Sequence, residues 1–185
     1  LRPTDARCVT LDVMSTTTPS APDNITARAW APTPGAAVRQ AATVVVLRRS
    51  DAGMQVLLMR RAPRAGDIHS GASVFPGGLL DAADAEGSVL CSGLDDAQAS
   101  ARLGLPSGAL AYWFAALREC FEEAGLLYAT AQDRSHLDAA QLAQIATQRD
   151  ALNRRELTMA SICARFGIHL AAERIAYLDH WLTPP

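Results

Sequence analysis

The segment "LRECFEEAGLL", residues 117–127, gathers three carboxylates into one turn of a predicted helix. On a helix, residues three and four apart share a face, so Glu119 meets both Glu122 and Glu123. Like charges at that spacing cost about 0.2–0.5 kcal/mol per pair, and the C-terminal end of a helix repels anions by a similar amount. A hard divalent cation such as Mg²⁺ or Mn²⁺, which prefers oxygen ligands, would compensate this repulsion. The pattern therefore indicates a metal site, with a solvated helix face as the alternative.

Apolar residues lie before the acids and between them in the sequence. They recur at spacings of three and four, as in the apolar stripe of an amphipathic helix that packs on a core; they are Leu110, Trp113, Phe114, Leu117 and Phe121. The helix is predicted to start after Ser107 and to end at Gly125, a C-cap glycine. Trp113 and Phe114 are interpreted as core residues rather than as a platform for substrate.

Other runs along the chain predict strands and further helices. Strands are expected at residues 41–49, 54–60 and 73–75, the first two as a hairpin, and an extended run at 173–182. Helices are expected at about 137–152 and 158–166. The stretch 81–106 has an irregular composition, with a short helix expected near 95–103, and is interpreted as an insertion.

Composition indicates one folded, globular domain. The chain has 185 residues, of which 49% are hydrophobic and 19% charged, and this is enough to bury a core. A net charge of −2 offers no general footprint for nucleic acid or an anionic membrane, so we expect a small-molecule partner that is held locally. No apolar run approaches the ~20 residues needed to cross a bilayer. The four cysteines are scattered, as expected for reduced thiols in a cytoplasmic protein.

The acidic helix and the glycine turn before it resemble the signature of the Nudix hydrolase family. The family has a glycine, five residues, a glutamate, seven residues, and then Arg-Glu-apolar-any-Glu-Glu-any-Gly-apolar. The segment "RECFEEAGL", residues 118–126, fills the second half without a mismatch. In the first half, "FPGGLLDAAD", Gly78 is followed after five residues by Asp84, where the family has glutamate.

The spacing between the two halves departs from the family pattern. Residues 85–117, 33 residues, separate Asp84 from Arg118 instead of seven. A long insertion at about 85–108, together with "VFPGG" and "LLDAAD", is similar to the branch of coenzyme A and acyl-coenzyme A diphosphatases. Because Asp84 is one methylene shorter than glutamate, whether it reaches Arg118 is an open question at this point.

This resemblance implies a fold and a chemistry. The fold is α+β, an α/β/α sandwich with a mixed sheet between helices. Glu119, Glu122 and Glu123 would hold Mg²⁺ or Mn²⁺ with the backbone carbonyl of Gly78, and Arg118 would orient the glutamates. Water activated by the metal or by a glutamate would attack a phosphorus of a diphosphate linkage and release two monophosphates.

The resemblance also implies a substrate site upstream of the helix. Its residues are expected to be Arg60, Arg61, Arg64, Phe75 and Gly77. Arginines would pair with phosphates of coenzyme A through bidentate hydrogen bonds, and glycines would let backbone approach the ligand closely. Each arginine is equally well explained as a surface residue, and His69 as a structural or exposed loop residue.

The ends of the chain carry expectations of their own. Residues 1–38 are expected to be a disordered or over-extended lead-in, with the Nudix domain at 39–185. Too few strand-like runs follow Tyr128 to finish a sheet, which favours a C-terminal truncation and pairing of the open edge with a second copy. Two rival interpretations therefore accompany the hydrolase: a Nudix-like module that binds a ligand without cleaving it, and an inactive fragment.

Overall fold

A computed structural model describes residues 6–10, 39–51, 53–61 and 71–180, with the backbone alone for 6–10. The strands are β1 (Ala6–Thr10), β2 (Ala41–Thr43), β3 (Leu47–Ser50), β4 (Gly53–Arg60), β5 (Ser73–Val74), β6 (Gly77–Leu79), β7 (Cys91–Ser92), β8 (Ala129–Ala131) and β9 (Ile168–Ala171). The helices are α1 (Ala82–Gly87), α2 (Asp96–Leu103), α3 (Leu110–Ala124), α4 (Ala139–Ala146), α5 (Arg149–Asn153) and α6 (Met159–Phe166). Within the described residues, none of these helices has the length and apolar character needed to cross a membrane.

Strands of the described chain are distributed over three sheets. In the first, β4 pairs antiparallel with β1 on one edge and with β3 and β5 on the other. In the second, β2 pairs antiparallel with β6. In the third, β9 lies between β7, to which it is parallel, and β8, to which it is antiparallel. The predicted α+β class is confirmed, and the third sheet has the mixed pairing.

The strand predicted at 41–49 is wrong as a single element, because it divides between two sheets. Its first part, β2, pairs with β6, and the Val44 N–H donates to the Pro76 carbonyl at 2.8 Å. Pro76 has no N–H to donate, so the ladder between β2 and the segment that contains Pro76 cannot continue past this residue. The chain turns instead to β4, where the Val46 carbonyl accepts from the Leu57 N–H and β3 follows. The predicted hairpin of β3 and β4 is confirmed.

The N-terminal lead-in contains one element that the sequence does not predict. Residues 6–10 form β1, which pairs with β4 over five residues. The remainder of the lead-in, residues 1–5 and 11–38, lies outside the described residues. The predicted Nudix domain boundaries at 39–185 stay a prediction.

Regular structure also occupies the stretch expected to be irregular. It contains α1, a 3₁₀ turn at Ser88–Leu90, β7 and α2, and the helix expected near 95–103 is confirmed as α2. The helix expected at about 137–152 is broken at Thr147 and Gln148 into α4 and α5, whereas α6 confirms the last predicted helix. No strand forms over residues 175–180 of the predicted extended run.

The core is centred on α3. Phe114, Leu117 and Phe121 are each about 1% exposed, and Trp113 is 4% exposed, so the prediction that the aromatic residues of this stripe are core residues is confirmed. Apolar side chains of other elements complete the cluster, including Ile145, Leu152, Met159, Ile162, Ile168 and Leu170. Because the core encloses the apolar face of α3, the helix cannot slide along its axis or turn about it. Its acidic face is therefore fixed against β6.

Candidate active site

The acidic residues lie in the last two turns of α3, as the sequence predicts. Gly125 follows the helix with φ 70°, a left-handed conformation in which glycine is favoured, and this confirms the predicted C-cap. The side chains of Arg118 and Glu119 are each 12% exposed and that of Glu122 is 19% exposed. A merely solvated helix face would leave such side chains in water. These charges are instead largely enclosed.

Arg118 is the centre of the hydrogen-bond network. Its Nε and Nη2 donate to the two carboxylate oxygens of Asp84 at 2.7 and 2.8 Å, a bidentate pair. Its Nη1 donates to Glu119 at 2.7 Å and to Glu122 at 3.2 Å, and Nη2 also reaches the Leu79 carbonyl at 3.1 Å. Burial disfavours the guanidinium charge, but the bonds with Asp84 and the charge of Glu119 outweigh it and raise the pKa of Arg118 above its ordinary value.

Asp84 reaches Arg118 despite its short side chain. It lies on α1 and is only 1% exposed. One of its oxygens also accepts from the Asp81 N–H at 2.8 Å, while the Asp81 side chain caps the same helix. A capping box therefore holds Asp84 at the distance from Arg118 that its shorter side chain requires.

Gly77 and Gly78 bring backbone against the acids. The Gly77 N–H donates to a carboxylate oxygen of Glu123 at 2.9 Å. A Cβ on Gly78 would lie 2.6 Å from the carboxyl carbon of Glu119, a separation that real side chains do not tolerate. Neither glycine has a positive φ, so close approach rather than backbone conformation explains both.

Burial and mutual repulsion act on the glutamates. Burial raises the pKa of Glu123 above its ordinary value, and the charges of Glu119 and Glu122 add to this, whereas the Gly77 N–H and Arg61 oppose it. Burial likewise raises the pKa of Glu122, with Arg118 opposing the shift. The site therefore keeps negative charge that its own cations leave partly uncompensated.

A cavity of about 410 Å³ adjoins Glu123. Four of the five residues predicted to bind substrate line it, namely Arg60, Arg61, Phe75 and Gly77. Glu123 lines the same cavity, so the predicted cationic residues and one acid of α3 face a common space. Its volume is within the range of small-molecule sites. Arg64 and His69 lie outside the described residues.

The donor set suits a hard divalent cation, although the glutamates do not converge on one point. Among the described residues, no group of three or more His, Cys, Asp or Glu side chains is arranged as a metal site. Arg118 donates to one oxygen of Glu119 and one of Glu122, and the Gly77 N–H donates to one oxygen of Glu123. The second oxygen of each glutamate accepts no hydrogen bond from the described part of the chain. Three carboxylate oxygens that the described residues leave without a donor match the oxygen preference of Mg²⁺ and Mn²⁺.

Sequence reasoning missed the residues that hold the two ends of α3. Arg149 donates to the backbone carbonyls of Glu122 and Glu123 at 2.8 and 2.7 Å. At the other end, Asp96 accepts from the N–H groups of Gly108 and Leu110 at 2.8 and 2.9 Å, and these bonds lower its pKa. No local pattern announces such contacts, since each partner comes from a different helix.

A NUDIX domain family model matches residues 38–156, more than half of the chain. No curated protein gives a significant match. Among solved structures, the chain is similar to the crystal structure of a NUDIX hydrolase from Alicyclobacillus acidocaldarius, with 26% sequence identity and a TM-score of 0.48. The match covers 75% of this chain and 59% of that one, so the chain spans about three fifths of the length of that hydrolase. By the extent of its domain match, the chain belongs to the NUDIX family.

Proposed function

We propose that this chain is a Mg²⁺- or Mn²⁺-dependent hydrolase that cleaves the diphosphate linkage of a nucleoside diphosphate derivative. One observation supports the proposal above the others: Glu119 and Glu123 are held against the Gly77–Leu79 strand, and Arg118 ties Glu122 to Glu119. Membership of the NUDIX family supports the same reaction class. A protein that needed these acids only for solubility would not enclose them with a guanidinium.

Each residue has a role in this proposal. Glu119, Glu122 and Glu123, with the carbonyl of Gly78, would hold the cation, and Arg118 orients Glu119 and Glu122 through its hydrogen bonds. A cation held there would neutralise charge on the phosphate oxygens and would lower the pKa of water. The water oxygen bonds to one phosphorus while the bridging P–O bond breaks, and a glutamate accepts the proton.

Coenzyme A or acyl-coenzyme A is the proposed substrate. Arg60 and Arg61 line the cavity beside Glu123, which supports pairing of their guanidinium groups with phosphate oxygens, and Phe75, 38% exposed, lines the same cavity. Arg64 is assigned to the same group on the sequence alone. The interpretation of residues 85–108 as the insertion of the coenzyme A branch belongs to this proposal.

The remaining parts of the proposal concern where and with what the chain acts. The partner is a small molecule, not nucleic acid or a membrane, in keeping with the net charge of −2. A cytoplasmic location is supported by the free thiols of Cys91, Cys120 and Cys163. A homodimer is proposed because β3 pairs on one side only among the described strands.

A product assay tests the proposal. Coenzyme A, acyl-coenzyme A, ADP-ribose, NADH and nucleoside triphosphates are incubated with the full chain, with and without Mg²⁺, and monophosphates are separated by anion exchange. We expect cation-dependent conversion of coenzyme A into two products that each keep one phosphate of the cleaved diphosphate linkage. Glu119→Gln should abolish it, whereas Glu86→Gln, the same exchange on an exposed face of α1, should not.

The same variants separate the hydrolase from the ligand-binding module. A module that only binds would leave every substrate intact, and Glu119→Gln would hardly change its affinity for coenzyme A. An inactive fragment would neither cleave nor bind. Either result would overturn the proposed function.

A further inference from the structure

The last carbonyl groups of α3 accept hydrogen bonds from two sources. The N–H groups of Gly125 and Leu126 bond back to Phe121 and Cys120 at 3.0 and 3.4 Å, as expected for a helix that ends in a left-handed glycine. This leaves the carbonyls of Glu122 and Glu123 without a partner from the helix itself. Both carry side chains that the proposed function assigns to the cation.

Arg149 supplies the missing donors. It is the first residue of α5, and its Nε and Nη2 donate to the Glu122 and Glu123 carbonyls at 2.8 and 2.7 Å. The planar fork of a guanidinium suits two adjacent acceptors of fixed spacing. Asn153, one turn later on α5, adds a longer bond of 3.4 Å to the Glu122 carbonyl. Through these hydrogen bonds, α5 fixes the backbone of Glu122 and Glu123, two of the three acids.

Arg149 acts on the backbone and leaves the carboxylates alone. Among the described residues it makes no ion pair with an acidic side chain, whereas Arg118 binds Glu119 and Glu122 directly. Its charge also lies at the negative end of the helix dipole, where a cation is favourable. One carboxylate oxygen each of Glu122 and Glu123 thus accepts no bond from the described residues, while the backbone of both is fixed.

We propose that Arg149 is a positioning residue that sets Glu122 and Glu123 for divalent-cation binding and hydrolysis. The inference rests on the proposed function and adds to it a residue 26 positions beyond the acidic motif. Groups that orient metal ligands from outside the coordination shell commonly change metal affinity or activity about 10–100-fold when removed. Misplacement of a catalytic group by about 1 Å has effects of similar size.

The test compares Arg149→Met, Arg149→Lys and a cap variant at the opposite end of the same helix. Asp96→Ala is that control, because Asp96, on α2, bonds to Gly108 and Leu110 at the start of α3, the opposite end of that helix from the acids. Binding of Mn²⁺ alone is followed by electron paramagnetic resonance, kcat and KM by product formation from coenzyme A, and Tm in the presence of a chelator.

The positioning role predicts a specific pattern. Arg149→Met should bind Mn²⁺ about tenfold more weakly and lose about tenfold in kcat with an unchanged KM. Arg149→Lys keeps the charge but loses the fork, so it should fall between wild type and Arg149→Met. Asp96→Ala should lower Tm and leave Mn²⁺ affinity unchanged.

Other results overturn the inference in distinguishable ways. If Arg149→Lys is folded and binds Mn²⁺ with wild-type affinity, a positive charge at the end of α3 is sufficient. The two hydrogen bonds of the guanidinium would then have no positioning role. If both Arg149 variants lower only Tm, as Asp96→Ala does, the residue is a structural cap and the proposed function stands. If the wild type itself neither binds Mn²⁺ nor cleaves coenzyme A, the proposed function fails, and the positioning role fails with it.

Discussion

Asp84 and Arg118 form an ion pair that is largely shielded from water, since their side chains are 1% and 12% exposed. Removing one partner of such a pair leaves a buried charge without full compensation. Arg118 keeps Glu119, Glu122 and the Leu79 carbonyl, so the cost falls at the lower end of the usual range. The interaction is therefore structural as well as orienting.

The variant Asp84→Asn is expected to lower the free energy of unfolding by about 3 kcal/mol. Urea denaturation measures it, and the control is Glu156→Gln, which breaks the fully exposed pair of Arg154 and Glu156 and should change nothing measurable. Equal stability of Asp84→Asn and wild type would show that Arg118 does not need this partner.

Two adjacent glycines offer a second contrast at the residue scale. A Cβ on Gly78 meets the flexible end of Glu119, whereas a Cβ on Gly77 would lie 2.7 Å from the Cα of Thr43 in the paired strand. Gly78→Ala should therefore displace the carboxylate and lower kcat about 100-fold with little change in Tm. Gly77→Ala should mainly lower Tm. Activity assays and thermal melts of both variants check this, and retention of full activity by Gly78→Ala would argue against a functional position for Glu119.

At the scale of elements, α3 carries three acids where its own dipole disfavours them. The raised pKa of Glu123, caused by burial and by Glu119 and Glu122, means that ionising this residue costs stability in the folded chain. Its contribution to stability is thus fully present below the unfolded pKa and lost as pH rises through the higher folded pKa. A bound cation would reverse that cost.

We therefore expect Glu123→Gln to be more stable than wild type at neutral pH without divalent cation, by roughly 0.2–0.5 kcal/mol for each repulsion removed. The amide oxygen can still accept from the Gly77 N–H. The difference should vanish below about pH 4, where Glu123 is protonated in both states. Thermal melts across this pH range in a chelating buffer measure it, and a Glu123→Gln variant less stable than wild type at pH 7 would be the opposite result.

The elements also show what local sequence can and cannot predict. The apolar stripe and Gly125 locate α3 because both signals lie within the helix itself. Residues 41–49 divide into β2 and β3 because different strands lie opposite them. Pro76, about 30 residues later in the chain, ends the pairing of the first part, and no local pattern in 41–49 could indicate this. Acids that repel one another could be recognised as a site, but Arg149 has no local signature, because its partners belong to another helix.

At the scale of the whole molecule, the core serves to fix one helix against one strand. α3 is enclosed by the apolar cluster, α1 delivers Asp84, β6 delivers Gly77 and Gly78, and α5 delivers Arg149. Elements spread over some 70 residues of chain thus meet at the three glutamates. Such an arrangement enforces repulsion in the folded state, which is the expected signature of a binding site kept at some expense of stability.

Direct titration with Mn²⁺, followed by electron paramagnetic resonance on the full chain, tests this account most directly. The wild type is expected to bind Mn²⁺, Glu119→Gln to bind it at least tenfold more weakly, and the surface control Glu86→Gln to match the wild type. Indistinguishable affinities of wild type and Glu119→Gln would contradict the claim that these acids are clustered to hold a divalent cation.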